Sequence, residues 1–262
     1  MTATTARRAW VEQIMGMPIS VHVRVGAEEP AVAAAVAAAF DQLRAADRMF
    51  STYRPESQIS ELNRGLRRLA DCDPQVREVL DLCEEARRRT DGYFDAMLPG
   101  ADGRLGFDPS GLVKGWAVEL AGRLLADRAV ADFSLNAGGD IVLRSGPGQP
   151  PWQVGIEDPA DPDRLVGVLP VSGGAVATSG TARRGAHIVD PHTGRPVTAI
   201  GSVTVVGPSL TWADVYATAA VAGGARSSVA WLRQQTGYRA FVVGATSDLT
   251  VIGDQTSTTG AR

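Results

Sequence analysis

Lysine occurs once in this chain: of the 26 basic residues, only Lys114 is not an arginine. A compact ammonium acts as a point charge where the planar guanidinium cannot. Lys114 belongs to the segment Phe107-Asp108-Pro109-Ser110-Gly111-Leu112-Val113-Lys114-Gly115, which we interpret as a loop leading into a helix over Gly115–Leu125. Helix N-termini offer unpaired N–H groups and a partial positive charge, so this segment predicts a phosphate site. Chance use of lysine in an arginine-rich chain is the alternative.

A second pair of residues could hold a metal ion. Asp214 and Thr218 are four positions apart in Ala213-Asp214-Val215-Tyr216-Ala217-Thr218, so they share one face if the segment is helical. A carboxylate and a hydroxyl oxygen suit Mg²⁺, which prefers a few protein oxygens together with substrate phosphates. A helix cap or a solvated face is the competing interpretation.

Three further polar segments stand between predicted elements. Gly92-Tyr93-Phe94-Asp95 follows a helix and is also typical of a helix stop before a strand, and Asn136-Ala137-Gly138-Gly139-Asp140 is typical of a tight hairpin. The third is composite, with Ala177-Thr178-Ser179-Gly180 followed by His187-Ile188-Val189-Asp190-Pro191-His192-Thr193-Gly194. His22 lies in a predicted strand and is interpreted as structural.

The elements that must position these residues are read from hydrophobic periodicity. We predict helices at Ala31–Phe50, Pro74–Arg89, Gly115–Leu125, Ala213–Val221 and Ser227–Gln235. We predict strands at Pro18–Val25, Phe133–Leu135, Asp140–Leu143, Gln153–Ile156, Val166–Val171, Ser202–Val206, Ala240–Val243 and Leu249–Ile252. Strands in clusters with helices between them favour an α+β fold with a largely antiparallel sheet.

One compact domain is expected over residues 13–256, with a flexible N-terminus at 1–12 and a tail at 257–262. The Pro/Asp-rich stretch Asp158–Asp163 is predicted to be a surface loop. The net charge of -3 and the pI of about 5.7 give no electrostatic reason to bind nucleic acid or an acidic membrane.

Cysteine usage and hydropathy exclude other classes of protein. Cys72 and Cys83 belong to no CxxC or Cys/His cluster, so we expect reduced thiols and neither a zinc site nor a disulfide framework. No apolar run reaches the roughly 18 residues of a membrane span, and no secretory signal is recognisable. The expected location is therefore cytoplasmic.

Taken together and in this order, these segments resemble the FAD:protein FMN transferase family, also called the ApbE type. The segments that carry the resemblance span roughly 200 residues: Met15-Gly16-Met17, Phe50-Ser51-Thr52-Tyr53, Ser57–Asn63, Thr90–Asp95, Asp108–Gly115, Asn136–Asp140, Ser179-Gly180, His187–Gly194 and Asp214–Thr218. Each motif is weak alone, and their shared order makes the match specific.

The resemblance implies an α+β, T-fold-like domain that moves FMN from FAD to a Thr or Ser hydroxyl of an acceptor flavoprotein, with Mg²⁺ bound and AMP released. It implies FAD contacts from Met15, Tyr53, Tyr93, Phe94, Asp95, Asp108, Lys114 and His187. It also implies Mg²⁺ ligands at Asp214, at Thr218 and at the Gly111 carbonyl. Catalytic roles then fall to His187, Lys114 and Asp214, with His187 accepting the acceptor's proton or donating one to an oxygen.

The sequence departs from the family pattern before His187, where the piece Thr181–Ala186 is short. Two alternatives to transfer therefore stay open. One is an FAD pyrophosphatase that uses water as acceptor and yields FMN and AMP, and the other is a non-catalytic FAD-binding protein.

Overall fold

A computed structural model describes residues 6–25, 29–99, 103, 105–180, 189–197, 200–244 and 247–253. Its strands are Ala6–Ile14 (β1), Met17–Val25 (β2), Met97–Pro99 (β3), Leu105–Phe107 (β4), Phe133–Ala137 (β5), Asp140–Arg144 (β6), Trp152–Asp158 (β7), Asp161–Val171 (β8), Gly173–Gly180 (β9), Val189–Asp190 (β10), Arg195–Pro196 (β11), Ile200–Gly207 (β12), Arg239–Gly244 (β13) and Leu249–Ile252 (β14). Its helices are Glu29–Phe50 (α1), Gln58–Asn63 (α2), Pro74–Arg89 (α3), Ser110–Asp127 (α4) and Leu210–Leu232 (α5).

Eight strands form one sheet in the order β1-β2-β5-β6-β9-β12-β13-β14, and every neighbouring pair is antiparallel. The pairs β3-β4, β7-β8 and β10-β11 form separate two-stranded sheets. The predicted α+β fold with a largely antiparallel sheet is confirmed. None of the helices in the described part of the chain is long and apolar enough to cross a membrane.

The helices α1, α4 and α5 pack together against the sheet and enclose the main core. Along β5 burial alternates, so Phe133, Leu135 and Ala137 contribute to this core while the residues between them are more exposed. Alternation of this kind is what a sheet with one face on a core produces. The core therefore fixes α4 and α5 against the middle strands.

Two glycines let α4 approach its neighbours closely. A Cβ at Gly122 would lie 2.8 Å from Cγ1 of Val142 on β6, and a Cβ at Gly115 would lie 3.0 Å from the Leu210 carbonyl oxygen at the start of α5. Neither position has room for a larger side chain. Glycine inside α4 is therefore a packing requirement and not a loop signal.

Residues 145–172 leave the sheet after β6 and return at β9, where Arg144 and Gly173 are direct partners. The excursion contains the β7-β8 hairpin, whose buried residues alternate along β7. Trp152 and Val154 belong to one small apolar cluster with sheet residues, and Ile156 belongs to another. The hairpin thus packs on sheet residues through two clusters distinct from the main core.

Most predicted elements are observed with small shifts in their ends. Pro74–Arg89 is helical as predicted, and the expected break between two late helical segments appears as a kink in α5 at Gly224, with φ 69° and ψ 170°. The segment 136–140 forms the predicted tight hairpin between β5 and β6. Both cysteines are free, as expected.

Three expectations are wrong. The N-terminus is a strand from Ala6 rather than a flexible arm up to residue 12, because Trp10, Glu12 and Ile14 alternate toward the protein on an otherwise polar edge strand. The stretch Asp158–Asp163 is not a loop: Asp158 ends β7, Pro159 and Ala160 form a two-residue turn, and Asp161 begins β8. The Asp158 carboxylate stabilises this turn by accepting a hydrogen bond from the Ala160 amide at 2.9 Å.

The third error concerns the start of α4, which is Ser110 and not Gly115. Lys114 therefore lies inside the helix and not at its mouth. The sequence predicts a loop before Gly115, but Gly111 lies in the first turn of the helix.

Candidate active site

One large cleft, with a volume of about 1830 Å³, collects the residues that the family resemblance singles out. All ten of them that the structure describes line it: Met15, Tyr53, Tyr93, Phe94, Asp95, Asp108, Gly111, Lys114, Asp214 and Thr218. His187 lies outside the described residues. Since these ten positions span more than two hundred residues of sequence, the fold brings them together.

At the α4–α5 contact the lone lysine meets two buried carboxylates. Lys114 Nζ forms an ion pair with Asp140 Oδ2, and it lies 3.6 Å from Asp214 Oδ1. Asp140 is fully buried and Asp214 is 2 % exposed, while the lysine side chain is 22 % exposed. A solvated face for Asp214 is therefore excluded. The compact ammonium fits here because it reaches both carboxylates from one helix position.

The Asp214 carboxyl is held in an unfavourable environment for its charge. Burial and, to a smaller extent, the neighbouring Asp140 carboxylate together raise its pKa from 3.8 to about 7, while Lys114 and the Gly115 amide act in the opposite direction. Asp214 Oδ2 is buried without a hydrogen-bond partner among the described residues. Buried polar atoms normally have partners, so this oxygen indicates a place for a cationic ligand.

Thr218 lies one turn after Asp214 on α5, as the i, i+4 spacing predicted. Its Oγ1 is 3.0 Å from Ser179 Oγ on β9, and either hydroxyl can donate. When Thr218 donates, its lone pairs are left for another ligand. Ser179 also lines the cleft and thus orients a predicted metal ligand.

The oxygens of this corner fit a hard cation. Within the described residues no group of three or more His, Cys, Asp or Glu side chains is placed to hold a metal ion. A cation here would therefore depend on Asp214, the Thr218 hydroxyl, a backbone carbonyl such as that of Gly111, and substrate oxygens. This donor set suits Mg²⁺, which usually takes few protein ligands, and it does not suit zinc.

Asp140 is the site residue that residue-by-residue prediction missed, although it ends the quoted segment Asn136–Asp140. The turn residues Gly138 and Gly139 have φ of 64° and 103°, and the Gly139 amide donates to Asn136 Oδ1 at 2.9 Å. This turn starts β6 at Asp140, whose Oδ1 accepts from the Thr178 amide at 3.2 Å. A buried acid directly after a two-glycine turn was the available signal.

The aromatic segment after α3 is fixed by its own backbone contacts. Thr90 Oγ1 donates to the Ala86 carbonyl at 2.8 Å and accepts from the Phe94 amide at 3.0 Å. Phe94 is buried, and Tyr93 packs edge-on against His192 with ring centroids 4.6 Å apart. The predicted helix stop therefore also holds two aromatic rings at the cleft.

Three predicted contacts form other parts of the cleft wall. Asp95 makes an ion pair with Arg87 at 3.2 Å, and Tyr53 is 96 % exposed at the mouth. Met15 occupies the β1-β2 turn with φ of 55°, a left-handed conformation that is uncommon for a residue with a side chain. Strain at a cleft residue is a recurrent mark of a binding site.

Asp108 lies at the start of α4. Its Oδ1 accepts from the Ser110 amide at 3.0 Å, so a carboxylate covers the N-terminus of α4. The predicted phosphate site at that terminus remains a prediction. The observed partners of Lys114 are instead Asp140 and Asp214.

This chain is similar to known proteins in both sequence and fold. The model of the ApbE family matches residues 15–101 and 97–242. An FAD:protein FMN transferase of Klebsiella pneumoniae is 30% identical over 139 residues, which cover 49% of this chain and 40% of that protein. One from Escherichia coli is 31% identical over 137 residues, covering 48% and 38%. The chain thus spans about 40% of the length of these curated relatives.

A solved structure of similar fold is that of the ApbE protein from Thermotoga maritima. It superposes with a TM-score of 0.81 at 18% identity, covering 94% of this chain and 96% of the other. This likeness supports the fold alone, whereas the family match covers most of the sequence. The chain belongs to the ApbE family.

Proposed function

We propose that this protein transfers FMN from FAD to a Ser or Thr hydroxyl of an acceptor flavoprotein and releases AMP, with Mg²⁺ bound at Asp214. The observation that carries the proposal is the buried, unpartnered Asp214 oxygen in a cleft lined by ten family-predicted residues. The curated relatives are FAD:protein FMN transferases, which supports the same chemistry.

The bond changes define what the site must do. The acceptor hydroxyl oxygen attacks the phosphorus of the FMN half, the bond from that phosphorus to the bridging oxygen breaks, and AMP leaves with the bridging oxygen. The hydroxyl proton must pass to a base, for which His187 is our candidate. Such transfer depends mainly on positioning and on stabilising charge at phosphate oxygens.

The chain's own groups supply parts of this requirement. Asp214 and Thr218 would hold Mg²⁺ together with the Gly111 carbonyl, and a bound Mg²⁺ supplies charge stabilisation at the pyrophosphate oxygens. Tyr53, Tyr93 and Phe94 offer aromatic surface to the flavin or adenine ring. Lys114 adds a positive charge beside the same corner.

The decisive experiment combines two readouts from one reaction. The protein is incubated with FAD, Mg²⁺ and candidate acceptor flavoproteins from the same genome. AMP release and flavin that stays on the denatured acceptor are then both measured. We expect both, and we expect EDTA to abolish both until excess Mg²⁺ is added.

The alternatives give different outcomes. AMP without a labelled acceptor would indicate an FAD pyrophosphatase, and FAD binding without AMP would indicate a non-catalytic binding protein. A control variant is Asp127→Ala, which changes an exposed acid on the same helix as Lys114 and should keep full activity.

A further inference from the structure

Asp140 is fully buried and contributes a second negative charge beside Asp214. Three titratable side chains meet in this corner, namely Lys114, Asp140 and Asp214, and they sum to one negative charge when both carboxyls are ionised. Here the ammonium is shared unequally, because it pairs closely with Asp140 and lies 3.6 Å from Asp214.

We propose that Asp140 is a positioning residue that draws the Lys114 ammonium away from Asp214 and so keeps the Asp214 carboxylate available to a divalent cation. This inference rests on the metal site of the proposed function. Lys114 and a divalent cation are both positive, and both favour the same carboxylate. Without the charge of Asp140, the ammonium would settle on Asp214 and compete with the metal ion.

The geometry gives Asp140 the rigidity that this role needs. It begins β6 directly after the Gly138-Gly139 turn, and its Oδ1 is held by the Thr178 amide on β9. Its Oδ2 remains for Lys114. A carboxylate fixed by two adjacent strands can hold a flexible lysine side chain in one place. The carboxylate itself loses little conformational entropy in this pairing, because the sheet already holds it.

Asp140→Asn is the direct test, because the amide keeps an oxygen for the Thr178 N–H and removes the charge. Binding is measured by titrating Mn²⁺ and following the free ion by EPR, on protein without nucleotide and again with FAD at saturation. We expect Asp140→Asn to weaken Mn²⁺ binding about tenfold or more. Asp132→Asn removes a comparably buried acid that pairs with Arg24 outside the cleft, and it should leave Mn²⁺ affinity unchanged.

The Lys114→Met background separates competition from a general loss of structure. There Asp140→Asn should weaken Mn²⁺ binding by less than about threefold, because the competing ammonium is gone. Lys114→Met alone should bind Mn²⁺ at least as tightly as the parent, and this holds as a test even if the Asp140→Asn protein does not fold. Replacing the buried pair with two neutral side chains should be compatible with folding.

Several results would overturn the inference. These are equal Mn²⁺ affinity in Asp140→Asn and parent, an equal loss in the presence and absence of Lys114, or weaker binding in Lys114→Met. If the parent binds Mn²⁺ and any of these is seen, the proposed function stands and only the role of Asp140 fails. A parent that binds no Mn²⁺ would overturn the metal site of the proposed function, and this inference with it.

Discussion

The helices α4 and α5 meet at two acidic residues that are treated in opposite ways. Glu119 on α4 accepts hydrogen bonds at Oε2 from Ser209 Oγ at 2.7 Å, the Thr211 amide at 2.9 Å and Thr211 Oγ1 at 2.8 Å. These contacts hold the start of α5. Asp214, one turn further along α5, has a buried oxygen that finds no such partner in the described part of the chain.

The two carboxyls also differ in the direction of their pKa shifts. Burial alone would raise the pKa of Glu119, but the hydrogen bonds from Ser209 and Thr211 overcome it and lower the pKa. Burial and Asp140 raise the pKa of Asp214. The hydrogen bonds of the protein thus satisfy the Glu119 carboxylate and stabilise the fold, whereas Asp214 is the carboxylate that we propose as a ligand of Mg²⁺.

The largest expected effect is on the reaction and follows from removal of the Asp214 carboxylate. Asp214→Ala should lower AMP release and acceptor labelling about 10³-fold or more, because it removes the charged ligand of the proposed Mg²⁺ site. The protein should stay folded, as circular dichroism would show, since this carboxylate destabilises rather than stabilises the native state. Near-normal turnover in folded Asp214→Ala would contradict the proposed role of Asp214 in the reaction.

Removal of the Glu119 carboxylate should instead affect the stability of the protein. Glu119→Ala leaves the hydroxyls of Ser209 and Thr211 and one amide without their acceptor, and it should lower the free energy of unfolding by about 2–4 kcal/mol. Urea denaturation measures this loss. The control is Glu84→Ala, which removes an exposed pairing with Arg88 and should have little effect. A Glu119→Ala protein as stable as the control would contradict the assignment.

A smaller effect is expected when the close contact between α4 and α5 is disturbed. Gly115→Ala places a Cβ 3.0 Å from both the Leu210 carbonyl oxygen and Asp214 Cβ, so α4 and α5 must move apart. We expect a loss of about 1–3 kcal/mol in unfolding free energy. FAD turnover should fall as well, because Lys114 and Asp214 lie on opposite sides of this contact. Unchanged stability would show that the helices can adjust freely.

The two carboxyls should also differ in how they make stability depend on pH, which is measured by urea unfolding in EDTA. Native Asp214, with its pKa raised from 3.8 to about 7, holds a proton that the unfolded chain releases. Its favourable contribution is complete below about pH 4 and is lost as the pH rises toward 7. The stability of the parent relative to Asp214→Asn should therefore fall across that range.

Glu119 should behave in the opposite sense. Its pKa is lowered from 4.5, so its contribution is present above that value and is lost as the pH falls below it. The stability of the parent relative to Glu119→Gln should therefore decrease on acidification. Parallel pH profiles for the two variants would contradict the comparison directly.

Local sequence pattern predicted two features of the cleft correctly. The spacing of Asp214 and Thr218 predicted a shared helix face, and both residues line the cleft. The two-glycine segment predicted a tight hairpin, which is present. Such features depend on neighbours within a few residues, and the family resemblance then indicated which of them meet.

Contacts between distant segments could not be predicted in this way. The pairing of Lys114 with Asp140 joins a helix to a strand, and nothing in either segment specifies the other. The start of α4 was misplaced for the same reason, because Gly115 is required by the passing α5 backbone and not by a local turn. Tertiary packing overrode the local preference of glycine.

The excursion at 145–172 has a consequence for how this fold can vary. Its two ends are hydrogen-bonded neighbours, with the Ser145 amide donating to the Ser172 carbonyl at 2.6 Å. The strands β6 and β9 are therefore paired directly, without any residue of the excursion between them. Insertions or deletions in the hairpin tip therefore leave the strand order intact. The part of the cleft wall at the hairpin tip can thus change in length while β6, β9 and α5 keep their places, whereas the buried residues of β7 are held by their packing on the sheet.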